Sequence, residues 1–207
     1  MFYTEKRDGF SRLGLLEIGG SKITTPTMLE GEILEKIDVG KAAYAVKKLF
    51  PEIYENLKPK GDIEILTGVS TMSPREIAEA FSELRSIKPL YAVACADPKN
   101  VPLLIYLGAD IVDNIMAVVK GYSGIYFLGD VELNLEKLKS FPCSCEFCRK
   151  QDLSGLESEE VLEIAAKHNT EQLRLEVEKC RALIEEEALR NYVEAKAKLH
   201  PELTALL

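Results

Sequence analysis

The pattern of apolar and polar residues changes period along the chain, from short alternating runs to stripes spaced as on a helix. Within residues 12–28, two apolar or β-branched runs flank Gly19 and Gly20, a turn pair that tolerates positive φ angles. Pro26 has no amide hydrogen to donate, so it is expected to end the second strand or to place it at an edge. This part of the chain is therefore predicted to form a β-hairpin.

Strands that alternate with helices are predicted from residue 62 onwards. The helix that follows the first strand has a clear start, because Ser73 can cap it, Pro74 suits its first position and Glu76 completes a capping box. The predicted strands are 63–67, 89–94 and 109–113, and the helices predicted between them are 74–84 and 101–107. Weaker patterns predict helices at 42–50 and 52–57, and a last strand or hairpin at 121–128.

This alternation predicts an α/β fold with parallel strands. A complete eightfold barrel takes about 200 residues or more, and only about three β/α units are visible, so we expect a partial TIM-type barrel, or one completed by another chain. Residues 156–199 have helical spacing, with one helix leading to His168 and longer helices after it. The predicted organisation is a truncated β/α domain at 1–140 and a zinc-binding helical subdomain at 141–207.

Three cysteines lie within six positions, at Cys143, Cys145 and Cys148, and His168 follows twenty residues later. A cluster this tight cannot pair in disulfides without leaving one thiol over, whereas thiolates at these spacings can converge on one ion. Three thiolates and one imidazole form a closed tetrahedral set for Zn²⁺. Because this set leaves no position for water, the predicted zinc is structural. The alternative is a trio of cysteines with an unrelated surface histidine.

Composition and charge narrow the possible partners and compartments. The net charge is −8 and the pI is about 5.0, which argues against this chain alone binding a long stretch of nucleic acid. There is no signal-peptide pattern at the start and no apolar run of roughly 18 residues. We therefore expect a cytoplasmic protein that does not enter a membrane. The two remaining cysteines, Cys95 and Cys180, are predicted to be buried, inert thiols.

Asp113 is a better candidate for a catalytic residue than the Cys/His cluster. Polar residues at the carboxyl ends of parallel strands form the active sites of such sheets. A carboxylate in this position can attack an anomeric carbon, stabilise an oxocarbenium ion or accept a proton. The alternative is that Asp113 caps the turn that follows its strand. An open pocket beside it with a second carboxylate would favour an enzyme, and a filled one would favour a scaffold.

The segment from Gly108 to Asn114, followed about thirty residues later by Phe141-Pro142-Cys143-Ser144-Cys145-Glu146-Phe147-Cys148, resembles the tRNA-guanine transglycosylase superfamily. The resemblance is greatest to its archaeal branch, which comprises archaeosine tRNA-guanine transglycosylase and archaeosine synthase. It extends over the first thirty residues and most of 62–203, including the histidine in 166–169 and the segment 195–203.

The resemblance implies a zinc-bearing β/α barrel that exchanges a guanine in tRNA for a 7-deazaguanine base, a transferase reaction. By match to the family motif, Asp113 is the nucleophile that attacks the ribose carbon. The zinc ligands carry over to Cys143, Cys145, Cys148 and His168.

Two departures from the family pattern bear on activity. The upstream Asp-Ser-Gly-Gly-Phe segment, which supplies a second Asp, and the Gly-rich segment of the base pocket are both missing. The leading hypothesis is therefore a tRNA-modification protein of archaeosine biosynthesis that acts in an assembly, as a homo- or hetero-oligomer whose partner chain supplies RNA binding. The alternatives are a non-catalytic paralogue that scaffolds a catalytic partner through the zinc-bearing end, and a separate base-exchanging enzyme that uses Asp113.

Overall fold

The computed structural model describes residues 2–18, 20–30, 63–84, 87–149 and 151–204. The strands in these ranges are β1 (Phe2–Asp8), β2 (Ser11–Ile18), β3 (Ser21–Thr25), β4 (Thr27–Leu29), β5 (Glu64–Leu66), β6 (Leu90–Ala92), β7 (Ile111–Asp113), β8 (Ile125–Leu128) and β9 (Val131–Asn134). The helices are α1 (Pro74–Glu83), α2 (Val101–Leu107), α3 (Ile115–Tyr122), α4 (Ser158–Glu185), α5 (Leu189–Leu199) and α6 (Pro201–Thr204). The helices predicted at 42–50 and 52–57 lie outside the described residues.

The predicted hairpin is present as β2 and β3, which pair antiparallel from Gly14 opposite Thr25 to Ile18 opposite Ser21. Pattern reading missed β1, which pairs antiparallel with β2 and whose side chains alternate between half-buried and exposed. Pro26 ends the second strand as predicted. Assigning residues 27–28 to the hairpin was wrong, because after the cis Thr25–Pro26 bond the chain enters another sheet as β4.

The four strands β4, β7, β6 and β5 form a parallel sheet in that order. The first parallel strand of the chain thus pairs with the last one, as in a barrel whose ends meet. The α/β class with a parallel sheet agrees with the prediction. Closure into a partial TIM-type barrel stays a prediction.

Alternation along the strands divides the core between the two faces of this sheet. On β6, Leu90 and Ala92 belong to a large cluster that also contains side chains of the helices, while Tyr91 faces a smaller cluster with Leu29 and Ile111. The smaller cluster surrounds the strand ends on which Asp113 lies. The two faces of the sheet therefore contact separate apolar clusters, and the candidate nucleophile lies on the face of the smaller one, to which the start of α3 also contributes Ile115.

The helix start at Ser73 has the predicted capping box: the Ser73 hydroxyl accepts from the Glu76 amide over 3.4 Å, and the Glu76 carboxylate accepts from the Ser73 amide over 2.7 Å. The strand predicted from residue 121 was wrong in its first part. Gly121 does not begin a strand but lies in α3. The strand begins only at Ile125 and forms the β8–β9 hairpin. Local apolar content does not distinguish a short buried helix from a strand.

The helical end also differs from its prediction. Instead of stopping near His168 and restarting, the chain forms one helix of 28 residues, α4, with His168 and Asn169 inside it. Several of its buried residues, among them Leu173 and Val177, share one apolar cluster with the β/α part of the chain. The domain boundary between 140 and 141 stays a prediction. No helix among the described residues is long and apolar enough to cross a membrane.

Candidate functional site

The predicted metal site is assembled from three elements. The cysteines lie in the turn after β9, His168 comes from the middle of α4, and β8 lies between them. Ligand atoms of Cys143, Cys145 and His168 all lie within 4.8 Å of one another. The Cys148 sulfur is 3.5 Å from His168 Nδ1. All four residues that the sequence singled out are thus brought together.

Two sulfur-to-nitrogen distances within this cluster fit a tetrahedral zinc site. With Zn–S near 2.3 Å and Zn–N near 2.0–2.1 Å, the sulfur-to-nitrogen edge of a tetrahedron is about 3.5 Å. The sulfurs of Cys145 and Cys148 lie 3.4 and 3.5 Å from His168 Nδ1. The donor set and the spacing therefore both suit Zn²⁺, and the alternative of an unrelated surface histidine is wrong, because His168 is fully buried at the cluster.

His168 presents the correct ring atom to the cysteines. Its Nε2 lies 2.7 Å from the carbonyl oxygen of Phe127, so Nε2–H donates to that carbonyl and Nδ1 keeps its lone pair for an ion. Burial lowers the pKa of His168, although the Phe127 contact opposes this, so the imidazole is held neutral. A neutral, oriented imidazole is the form that binds a metal.

Asn169, the residue after the histidine, anchors the same strand and was missed as a structural residue. Its side-chain oxygen accepts from the Phe127 amide over 2.8 Å, and its amide group donates to the carbonyls of Ala117 and Ile125. The side chain is fully buried. His168 and Asn169 together thus bind both backbone groups of Phe127, which fixes β8 against α4.

The cysteine turn has the backbone contacts that a metal-binding turn needs. The amides of Cys148 and Arg149 both donate to the Cys145 carbonyl, and the Cys145 amide points at the Cys143 sulfur over 3.4 Å. Burial raises the pKa of the Cys148 thiol to about 12, so without a cation this sulfur stays protonated at neutral pH. A bound divalent cation would supply the charge that turns the thiol into a ligand.

Asp113 lies at the carboxyl end of β7 as predicted, but its carboxylate is fully buried. The Tyr91 hydroxyl and the Ala94 amide donate to Oδ2 over 2.6 and 2.9 Å, and the Ile115 amide donates to Oδ1 over 3.0 Å. Burial raises the pKa of Asp113, and these three hydrogen bonds oppose the increase. Among the described residues the carboxylate therefore lies in a filled site, and the contact with Ile115 is the turn-capping contact that sequence reasoning left open.

Asp110, three residues earlier, has a separate structural role. It accepts from Arg12 at both oxygens, over 2.8 and 2.6 Å, and from the Leu90 amide over 2.8 Å. Both charged side chains are nearly fully buried. This ion pair joins β2 of the antiparallel sheet to the start of β7. The other two cysteines, Cys95 and Cys180, are buried as predicted.

A parallel β/α sheet with a cluster of cysteines around a buried histidine defines the class to which this chain belongs, a β/α domain with a candidate metal site. Residues 62–202 match the family model described as queuine tRNA-ribosyltransferase, and the chain belongs to that family. The predicted resemblance to the transglycosylase superfamily is thereby confirmed.

Archaeal relatives are consistent with this assignment. The chain is 39% identical over 130 residues to archaeosine synthase of Haloferax volcanii, covering 63% of this chain and 21% of the relative. It is 33% identical over 157 residues to archaeosine synthase subunit alpha of Methanosarcina acetivorans, covering 72% and 25%. It is 32% identical over 139 residues to tRNA-guanine(15) transglycosylase of Methanococcus maripaludis, covering 62% and 21%. The matched region thus spans a quarter or less of these relatives.

Proposed function

We propose that this protein acts in tRNA modification, in the biosynthesis of archaeosine, as one component of an assembly. The observation that carries the proposal is the family match over 62–202 together with the Cys/His cluster inside it. The names of the relatives, archaeosine synthase and tRNA-guanine(15) transglycosylase, support this pathway. One relative is named as a subunit, which supports an assembly.

Zn²⁺ held by Cys143, Cys145, Cys148 and His168 is proposed as a structural ion that ties the cysteine turn to α4. When bound, it cross-links the helical end to β8 and contributes folding free energy. Metal analysis of purified protein should give one zinc per chain, lost on Cys145→Ser and retained on Cys95→Ala, which removes a buried thiol elsewhere. Zinc-free wild-type protein would contradict this role.

Asp113 is proposed as the nucleophile if the assembly exchanges bases. A carboxylate oxygen would form a bond to ribose C1′ as the bond from C1′ to the base breaks, and the leaving base would take up a proton. The incoming base would then lose a proton and displace the carboxylate, which restores Asp113. Because Oδ2 is occupied by the Tyr91 hydroxyl and the Ala94 amide, this reaction requires a partner or substrate that exposes the carboxylate.

Charge supports a partner that supplies RNA binding. The chain has a net charge of −8, and the cations in the groove between α3 and α4 are already paired. Lys167 contacts Glu163 over 2.6 Å and Arg174 contacts Glu171 over 2.6 Å. Because these side chains are already paired with carboxylates, they are less available to neutralise phosphate groups. We therefore propose that tRNA binds mainly through the partner chain.

A non-catalytic scaffold is the second candidate, and the full burial of Asp113 favours it. Incubation of the assembly with tRNA separates the two. A covalent protein–tRNA adduct that Asp113→Asn abolishes, and that Asp152→Asn at an exposed carboxylate leaves intact, supports the catalytic role. An equal amount of adduct in Asp113→Asn excludes it.

The pathway itself is tested in a host that makes archaeosine. Deletion of the gene should reduce archaeosine in digested tRNA, measured by nucleoside mass spectrometry, and the wild-type gene should restore it. Restoration by the Asp113→Asn gene would identify a scaffold. An unchanged archaeosine content after deletion would contradict the proposed function.

A further inference from the structure

The buried tyrosine of β8 points its hydroxyl at the metal cluster, and neither the sequence nor the proposed function assigns it a role. Tyr126 is fully buried, and its hydroxyl oxygen lies 3.3 Å from the Cys148 sulfur and 3.3 Å from His168 Nδ1. We infer that Tyr126 is an outer-shell residue of the metal site, donating its O–H to the sulfur of Cys148. This inference rests on the zinc site proposed above.

Ring stacking fixes the hydroxyl in this position. The Tyr126 and His168 rings are stacked, with centroids 3.9 Å apart and planes 5° from parallel, and Phe141 stacks on Tyr126 at 5.6 Å. The next residue on the strand, Phe127, supplies the carbonyl that accepts from His168 Nε2. Two consecutive residues of β8 thus contact the histidine, one at its ring face and the other at its far edge.

The chemistry of the cluster decides which neighbour accepts the proton. When His168 Nδ1 binds an ion, its lone pair is used, whereas a metal-bound thiolate keeps lone pairs that accept hydrogen bonds. The sulfur of Cys148 is then the acceptor within reach. A phenol has an ordinary pKa of about 10, so at neutral pH it keeps the proton that it donates.

The negative charge of the proposed zinc site strengthens this hydrogen bond. Three thiolates and a neutral imidazole around Zn²⁺ leave one net negative charge, and Cys148 is the buried cysteine of the three. A hydrogen bond to a buried charge is stronger than one between neutral groups. Loss of an outer-shell partner typically reduces metal affinity about 10–100-fold. Tyr126→Phe keeps the stacked ring and removes only the hydroxyl.

The test is a comparison of Tyr126→Phe with Tyr192→Phe, which removes a hydroxyl bonded to Glu176 and Lys179 on the helical side. Zinc affinity is measured by chelator competition, and the Co²⁺-loaded proteins are compared by absorption. Tyr126→Phe should bind zinc about 10–100-fold more weakly and shift the thiolate-to-cobalt charge-transfer band, while Tyr192→Phe should match wild type.

A zinc affinity within twofold of wild type and an unchanged cobalt band in Tyr126→Phe would overturn the inference. If that variant fails to fold, ¹¹³Cd-loaded wild-type protein gives the answer, because a Tyr126 hydroxyl proton bonded to a metal-bound sulfur should be scalar-coupled to cadmium. A Tyr126 hydroxyl proton without such coupling would overturn it. Wild-type protein that binds no zinc would instead contradict the metal site itself.

Discussion

Gly121 of α3 lies against the backbone of α4, and adding one methyl group there tests how His168 is positioned. An ideal Cβ on Gly121 would lie 2.4 Å from the Cα and 2.5 Å from the backbone nitrogen of Ala166. Unbonded carbon atoms pack at about 3.5–4.0 Å. Because the atoms it meets are helix backbone, the clash is relieved only if the two helices separate by about 1 Å.

Two opposing effects determine how much Gly121→Ala changes the free energy of unfolding. Replacing glycine by alanine inside a helix favours folding by up to about 1 kcal/mol. Over-packing a close contact typically costs about 1–3 kcal/mol, and a backbone clash belongs at the upper end of that range. Gly121→Ala should therefore lower the free energy of unfolding by about 2 kcal/mol, which is opposite in sign to helix propensity alone.

The same displacement should reach the metal site. His168 follows Ala166 by two positions on α4, so moving this turn away from α3 moves the imidazole relative to the cysteines. Zinc sites tolerate deviations of only about 0.2 Å in ligand distance. We therefore expect Gly121→Ala to bind zinc more weakly than wild type.

Urea denaturation of zinc-loaded protein, followed by circular dichroism, measures the first effect, and chelator competition measures the second. Gly155→Ala is the matched control, because Gly155 is exposed and a Cβ there meets no atom within 4 Å. The control should stay within about 0.5 kcal/mol of wild type. A Gly121→Ala protein that is as stable as wild type, with unchanged zinc affinity, would refute the close approach of the helices.

Three further predictions concern buried polar groups. Arg12→Ala should lower the free energy of unfolding by about 3–5 kcal/mol, because it leaves the Asp110 charge unpaired. Replacing both partners, by Arg12→Met with Asp110→Leu, should recover most of this loss. Urea denaturation in which the double variant is as unstable as the single variant would contradict this. Asn169→Ala should cost about 3 kcal/mol by leaving buried backbone groups unpaired and should weaken zinc binding; unchanged stability and affinity would count against the anchoring role. Because burial raises the pKa of Asp113, the folded protein keeps a proton that the unfolded chain loses above pH of about 4, so this residue's contribution to stability should fall as pH rises from there. Denaturation at several pH values should show a larger fall in wild type than in Asp113→Asn, and parallel curves would argue against it.

Local signals predicted much of this molecule. The cysteine spacing and His168 indicated a shared site, and the capping residues from Ser73 to Glu76 marked a helix start correctly, because these patterns act within a few positions of the chain. The β2–β3 hairpin followed from its glycine turn in the same way. Where no capping or turn residues mark the ends of an element, the prediction failed. Part of α3 was predicted as a strand, and α4 was divided at His168.

What the sequence determined by itself are the groups that must pair locally or share a scarce chemistry, namely the zinc-type ligands, the capped helix and the hairpin. Only the tertiary structure decided how Tyr126 and Asn169 hold the metal histidine, how Arg12 pairs with Asp110, and that Asp113 is buried with both oxygens occupied. These contacts join residues distant in sequence, and their partners are selected by the packing of β8, α3 and α4 rather than by spacing. The Cys/His cluster could be predicted from the chain because its residues have the spacing of a shared metal site, whereas the environment of Asp113 depends on every element packed around it.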